Sequence, residues 1–278
     1  KTFEQKALLG NLIPIWTEIS THHETPLSAY EAVREFLRSK KIFHSYLLES
    51  AEGGDHIGRY SYIGGIPRSI IRGYERRVEV TSNNETYTEF NVNPMDILKS
   101  EMGKYIPVKD DSLDSRFIGG AVGFFGYDMI SQFEPRISII DNDDLEIPDM
   151  VFMITDGLII FDNYKKNIII LSHAFINSDF DKAYNQAMLQ LELLNEALQS
   201  SENNILSIDK DIEPLNPQSN TSKDEYFKMV ERAKEYIHAG DIIQVVLSQR
   251  FEVENESDSL DIYKALRVIN PSPYMFCL

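Results

Sequence analysis

The stretch VFMITDGLIIF (residues 151–161), followed by the turn NYKK (163–166) and the run NIIILSH (167–173), determines the predicted fold. Two apolar runs rich in β-branched residues, separated by a short polar turn, predict a pair of buried antiparallel strands. Residues 180–198 then repeat apolar side chains at helical spacing. The members of this stripe are Tyr184, Ala187, Met188, Leu191, Leu194 and Leu198. A buried hairpin followed by an amphipathic helix predicts the α+β class, with helices layered on a mixed sheet.

The residues before this hairpin predict further short elements of the same layered domain. The capping-box sequence SAYE (28–31) predicts a helix over 29–39, and Asn93 with Pro94 predicts the start of another that ends near residue 102. Alternating β-branched and aromatic residues predict strands at 43–49, 59–63, 69–72, 77–81, 86–90 and 117–125. We therefore expect one domain over residues 1–198.

The composition changes after residue 198 and predicts a second domain. Residues 199–221 are rich in Ser, Asn, Asp and Pro and read as a linker. A second capping box, SKDE (222–225), predicts a helix that ends at Gly240. A strand over 242–251 and a helix over 260–268 are expected next. Residues 222–278 thus read as the beginning of a further α+β domain.

Charge and cysteine content exclude several classes of protein. The chain has 27 Lys and Arg against 44 Asp and Glu, a formal net charge of −17, which disfavours nucleic-acid and acidic-membrane surfaces. Its single cysteine, Cys277, cannot form an internal disulfide, and no apolar stretch is long enough to span a bilayer. These features predict a cytoplasmic protein. The missing initiator Met and the ending MFCL predict a piece of a longer protein.

Common catalytic motifs are absent from the sequence. It contains no GxGxxG, GxxxxGK[ST], HExxH or GxSxG. The glycines of GGAVG (119–123) favour a tightly packed strand over a phosphate loop, because no Lys-Ser or Lys-Thr follows them. His22 and His23 favour a surface role over metal binding.

Three stretches carry more polar or rigid residues than packing requires. In LLES (47–50), Glu49 and Ser50 either end an ordinary strand or fix the ammonium of an amino acid. In GDIIQVVLSQRF (240–251), Gln244 is either an exposed edge residue or faces a site. In NPSPYMF (270–276), Tyr274 and Met275 either follow a helix-ending turn or wall an aromatic ligand.

Together with GRYS (58–61) and GGAVGFFGYD (119–128), these stretches resemble anthranilate synthase component I in content and order. The resemblance covers essentially the whole chain and implies that the second domain has the chorismate-binding α+β fold. It implies a lyase that aminates chorismate with ammonia from a glutamine amidotransferase subunit, and that then eliminates pyruvate to give anthranilate. This is the first committed step of tryptophan biosynthesis. Magnesium is the implied cofactor.

The resemblance also implies a feedback site for L-tryptophan. The residues that match the family's site are Glu49, Ser50, Asn270, Pro273, Tyr274 and Met275. Glu49 is expected to take the ammonium of tryptophan, while Tyr274 and Met275 pack around the indole. Ser50 is the strongest single candidate.

Gln244 is expected to line the chorismate site, where relatives that add water carry a Lys; a neutral amide argues against isochorismate and salicylate synthases. The family's catalytic residues and magnesium ligands lie beyond the position of Leu278, so no catalytic or metal residue is expected here, and the piece is expected to be inactive alone. Two alternatives remain open: aminodeoxychorismate synthase component I, and a non-catalytic tryptophan-binding module.

Overall fold

The computed structural model describes residues 2–20, 25–50, 58–83, 85–134, 136–137, 145–200 and 216–278. The chain divides into two compact units. One contains Lys1–Asn203 together with Tyr263–Leu278, and the other contains Asn204–Ile262. The class is α+β, as predicted, with antiparallel strand pairing throughout the main sheet. The predicted boundaries at residues 198 and 222 stay a prediction for the whole protein.

Helices and strands alternate irregularly along the chain. The helices are α1 Phe3–Ala7, α2 Pro26–Ser39, α3 Pro94–Gly103, α4 Phe180–Gln199, α5 Lys223–Ala239 and α6 Ser259–Ile269, with one 3-10 turn at Tyr127–Gln132. The strands are β1 Leu12–Ser20, β2 Ser45–Glu49, β3 Tyr60–Tyr74, β4 Arg77–Ser82, β5 Glu85–Phe90, β6 Gly120–Phe125, β7 Met150–Asp162, β8 Asn167–Phe175, β9 Gln218–Ser219, β10 Phe251–Glu252 and β11 Met275–Cys277.

Two long strands, β3 and β7, form the spine of the sheet in the first unit. They pair with each other from Tyr60↔Asp162 to Gly73↔Met150. One half of this spine continues through β8 to β1 and through β2 to β11, while the other half continues through β4 to β5 and carries β6 on its opposite edge. The sheet therefore has two wings that share the spine.

The core follows the two-residue period of these strands. On the spine, Ile70 and Met153 belong to one apolar cluster, whereas their neighbours Ile71 and Ile154 belong to another on the opposite face. Helix α3 packs on the second face, where Leu98 is buried. Helix α4 packs on β8 with a buried stripe. The members of that stripe are Ala183, Ala187, Leu191, Leu194, Ala197 and Leu198.

The glycine-rich stretch is a packed strand, as the sequence favoured. A Cβ on Gly123 would lie 1.8 Å from the carbonyl oxygen of Val151 on the neighbouring strand. Only a glycine allows β6 to approach β7 this closely. Gly119 and Gly120 have φ values of +134° and +137°, which side chains rarely adopt, so they set the bend that leads into the strand.

Two predictions about element boundaries are wrong. Helix α2 begins at Pro26 rather than at 29, because Thr25 is the N-cap and its side chain accepts from the backbone N–H of Ser28. The predicted strands at 59–63 and 69–72 are one strand, β3, because a bulge between Pro67 and Ser69 lets the chain continue. The sequence GGD (53–55) also predicts a turn between the strands predicted at 43–49 and 59–63. This turn and the histidines at 22 and 23 lie outside the described residues.

The second unit contains α5 and a two-residue ladder between β9 and β10. Ser222 and Glu225 form the predicted capping box of α5, and Gly240 ends the helix with φ +79°. The strand predicted over 242–251 is wrong. Of residues 242–252, only Phe251 and Glu252 pair with another strand, opposite Ser219 and Gln218. The rest of the segment has no ladder of hydrogen bonds and is therefore not a strand.

Candidate functional site

Strand β2 and strand β11 pair at the edge of the main sheet and bring two of the sequence motifs together. The pairing is antiparallel, with Met275 opposite Glu49, Phe276 opposite Leu48 and Cys277 opposite Leu47. Both strands belong to the first unit. The end of the LLES motif thus lies beside the start of the MFC strand.

Glu49 ends β2 as a buried acid, with 3% of its surface exposed. Its Oε2 accepts from the Arg267 Nε at 2.9 Å and from the Tyr263 hydroxyl at 2.8 Å, and its Oε1 accepts from the Arg267 Nη2 at 3.0 Å. Burial and the neighbouring Glu49 carboxylate raise the pKa of Tyr263, so its hydroxyl keeps the proton that it donates. The buried charge is therefore satisfied by two side chains of α6.

Ser50 follows Glu49 and is bound to the neighbouring strand. Its hydroxyl donates to the carbonyl oxygen of Tyr60 at 2.6 Å, and its backbone N–H donates to the Ser61 hydroxyl at 3.1 Å. Both partners lie in the GRYS motif at the start of β3. This explains why LLES and GRYS occur together in the sequence: the second motif anchors the end of the first.

The remaining predicted residues surround the start of β11. Asn270 follows α6, and its backbone N–H donates to the carbonyl oxygen of Leu266 at 2.9 Å. Pro273 and Tyr274 precede β11, and 64% of the Tyr274 side chain is exposed. Met275 is half-buried. Met275 lies opposite Glu49 in the pairing of β2 with β11, and Tyr274 directly precedes it in the sequence.

Gln244 does not belong to this constellation. It lies in the second unit, in the irregular segment between α5 and β10, and its side chain is exposed. The described residues include no group of three His, Cys, Asp or Glu that could hold a metal ion. None of the described helices combines the length with the apolar composition that a transmembrane segment needs.

Reasoning from the sequence missed the residues of α6 that hold Glu49. Tyr263 and Arg267 lie four residues apart and so share one face of the helix. Lys264, which belongs to the first unit like Glu31, forms a second ion pair, with its Nζ 2.5 Å from an oxygen of Glu31 on α2. The sequence did contain a signal for them: Lys264 and Arg267 lie on a predicted helix directly before NPSP. A buried acid elsewhere in the chain needs such cations as partners.

A family model described as chorismate binding enzyme matches residues 44–278, which includes β2, α6 and β11. The chain belongs to the chorismate-binding enzyme family.

The chain is similar to curated relatives. It is 38% identical over 273 residues to "Anthranilate synthase component 1" of Acetivibrio thermocellus, and the match covers 96% of this chain and 54% of that protein. It is 38% identical over 286 residues to "Anthranilate synthase alpha subunit 1, chloroplastic" of Arabidopsis thaliana, covering 95% of this chain and 47% of that protein. The chain thus spans about half the length of these relatives.

A solved structure supports the fold of this chorismate-binding family member. The crystal structure of anthranilate synthase component I from Streptococcus pneumoniae TIGR4 is similar with a TM-score of 0.54 and 28% sequence identity. The similarity covers 80% of this chain and 49% of that one.

Proposed function

We propose that the chain is part of the large subunit of an anthranilate synthase, a lyase that converts chorismate and ammonia to anthranilate and pyruvate. Family membership over residues 44–278 supports the chorismate-binding role, and the names of the relatives above support the product. Because the chain spans about half of these relatives, the activity is proposed for the whole protein. A glutamine amidotransferase subunit is the proposed source of ammonia, and the cytoplasm is the proposed location.

The proposal assigns no catalytic step to the described residues. Magnesium is proposed as the cofactor of the whole protein, but no described group of carboxylates and imidazoles fits the ion, so its ligands are not assigned here. Gln244 stays the proposed contact to chorismate. Its neutral amide suits a reaction in which ammonia, rather than deprotonated water, is the nucleophile.

We further propose that L-tryptophan binds beside β2 and β11 as a feedback inhibitor. The single observation that carries this proposal is the register that sets Met275 opposite Glu49. A buried carboxylate is the natural partner of an ammonium, and Tyr274 and Met275 offer an aromatic ring and a thioether for the indole. Ser50, Asn270 and Pro273 complete the proposed contacts.

This site has a built-in competitor for the ligand. Both oxygens of Glu49 already accept from Arg267, so an incoming ammonium has to share or replace the guanidinium. Arg267 lies on α6, a helix that begins at Ser259 in the other unit. Occupancy would therefore act on α6 through Arg267.

The activity is tested by assaying the full-length gene product with chorismate, magnesium and either ammonium or glutamine plus the amidotransferase subunit. Fluorescence of anthranilate with pyruvate formed in equal amount is the expected result. Accumulation of aminodeoxychorismate without anthranilate would instead support the alternative, aminodeoxychorismate synthase component I. Tryptophan binding by calorimetry with no turnover of chorismate would support the non-catalytic module.

A further inference from the structure

A groove of about 900 Å³ lies in the first unit, away from the residues proposed to bind tryptophan. Its walls are the middle of β3, the end of β4, the end of β8 and the beginning of α4. None of the six residues proposed for the tryptophan site lines it. Its volume is within the range of about 300–1,000 Å³ that small-molecule sites occupy.

The backbone of β3 is irregular where it lines the groove. The pairing register with β7 shifts between Pro67 and Ser69, which marks a bulge. Ile66 has a φ of +54°, a conformation that a β-branched residue rarely adopts. Bulges and backbone strain of this kind concentrate at sites where a protein positions side chains for a ligand.

The neighbouring strand, β7, changes its pairing partner at the same level. Strand β7 pairs with β6 as far as Thr155 and with β8 from Gly157, so Asp156 falls at the change of partner. Its carboxylate accepts from the Arg68 Nε at 2.7 Å, and the guanidinium lies 4.4 Å from the ring centre of Phe175. The two wings of the sheet thus separate around a mostly buried ion pair that faces the groove.

A neutral imidazole completes this part of the wall. The Nδ1 of His173 lies 3.2 Å from the carbonyl oxygen of Asp156 and must donate to it, because a carbonyl oxygen only accepts. Burial lowers the pKa of His173 to about 4, so the ring is neutral and its Nε2 is an acceptor. The buried hydroxyl of Ser69 also lines the groove and has no hydrogen-bond partner in the described structure.

The charges on the wall are unevenly paired. Each of its three acids is already bound within the protein: Glu101 by Lys104, Asp156 by Arg68, and Asp179 by the first turn of α4. The ammonium groups of Lys41 and Lys182 have no ion-pair partner among the residues that the structure describes. In a chain of net charge −17, two such cations in one groove favour an anion.

We propose that this groove binds a small metabolite anion that also carries a hydroxyl group. Lys41 and Lys182 receive the carboxylate or phosphate, and the hydroxyl donates to the Nε2 of His173. The unpartnered Ser69 hydroxyl lies in the same wall and is available to the ligand. This assignment does not depend on the function proposed above, because it uses none of the same residues.

The test uses two pairs of probes on the full-length protein: L-malate with succinate, and glycerol 3-phosphate with ethyl phosphate. Within each pair the anion is kept and the hydroxyl is removed. Calorimetry is expected to show saturable binding of one hydroxylated probe, at least about tenfold tighter than its hydroxyl-free partner. Binding of L-malate would identify the anionic group of the ligand as a carboxylate, and binding of glycerol 3-phosphate would identify it as a phosphate.

Variants connect the binding to the groove. Lys41→Gln with Lys182→Gln is expected to weaken the binding probe by at least about tenfold, while Lys166→Gln, an exposed lysine in the turn between β7 and β8, leaves it unchanged. The ring ¹⁵N signal of His173 should move on saturation. Binding of none of the probes, equal affinity within both pairs, or an unchanged affinity in the double variant would overturn the proposal.

Discussion

Arg267 and Glu49 form a two-point ion pair, with Nε 2.9 Å from Oε2 and Nη2 3.0 Å from Oε1. The carboxylate side chain is 2% exposed and the guanidinium side chain 35%. Paired parallel donors and acceptors fix orientation as well as distance. The pair therefore ties the end of β2 to α6, the helix that leads into β11 and the proposed tryptophan site.

Arg267→Gln is expected to lower the free energy of unfolding by about 2 kcal/mol, because it leaves a buried carboxylate with only Tyr263 as a donor. Urea denaturation of the full-length protein measures this. Arg136→Gln is the matched control, because its partner Glu134 lies on the surface, where solvent screens the charges and such pairs contribute little to stability. Glu49→Gln combined with Arg267→Gln should recover part of the loss. Equal losses in the Arg267 and Arg136 variants would contradict the assigned importance of the buried pair.

The same two residues are expected to affect tryptophan binding in opposite directions. Glu49→Gln should weaken it at least about tenfold, because the ammonium loses its carboxylate. Arg267→Gln should strengthen it, because the competing guanidinium is gone. Calorimetry with L-tryptophan measures both. Glu31→Gln is the control, because Glu31 pairs with Lys264, which lies on α6 as Arg267 does. If Glu31→Gln weakened tryptophan as much as Glu49→Gln, the site would not be at β2.

Local signals were sufficient to predict much of the first unit. The hairpin of β7 and β8 is confirmed, as is the amphipathic helix α4 that follows it. Asn93 caps α3 as expected, with its side chain accepting from the backbone N–H of Met95. These elements were predictable because strand alternation, helical spacing and capping depend on residues close together in the sequence.

Long-range pairing was not predictable in the same way. Strand β1 has Pro14 and Glu18 within it, and the partner that makes it a strand is β8, far along the chain. The contact between Glu49 and Arg267 likewise joins distant residues. In the opposite sense, alternating apolar residues predicted a strand over 242–251, of which the described structure forms only the end, at Phe251. Alternation supplies an apolar face but no hydrogen-bonding partner.

Gly123→Ala is expected to destabilise the protein by about 2 kcal/mol or more. The added methyl would lie 1.8 Å from the Val151 carbonyl oxygen and 2.8 Å from the Cα of Phe152, so β6 and β7 would have to separate. Thermal or urea unfolding measures the loss. Gly103→Ala is the control, because among the described residues no atom outside the adjacent residues and the backbone of α3 lies within 4 Å of its new methyl. Gly103 ends α3, where alanine raises stability by up to about 1 kcal/mol.

The segment between α5 and β10 is expected to promote self-association of the 278-residue chain. Ile243 is 98% exposed and Val246 82% exposed, in an extended stretch without a ladder. Ile243→Lys with Val246→Lys should therefore reduce the sedimenting aggregate. Leu8→Lys, which removes a similarly exposed side chain in the turn after α1, should not. A monomeric wild-type chain at the same concentration would contradict this prediction.

The buried imidazole of His173 is expected to make the first unit sensitive to acid. Burial lowers its pKa to about 4 from an ordinary 6.5, so the unfolded chain takes up the proton first as pH falls. The free energy of unfolding should therefore decline between about pH 6.5 and about pH 4, by roughly 3 kcal/mol at most for this group. Arg68 adds to the effect, because its positive charge also disfavours a charged ring.

Asp156 acts in the opposite sense and has to be separated from His173. Burial raises the pKa of its carboxyl group despite the Arg68 pair, so the folded chain takes up that proton at a higher pH than the unfolded chain, which adds stability on acidification. His173→Gln retains Asp156 and removes the imidazole. Its free energy of unfolding, measured with urea at about pH 7.5 and about pH 4.5, should fall less than that of the wild type. If both proteins lose the same amount, the imidazole is not held neutral by burial, because only His173 differs between them.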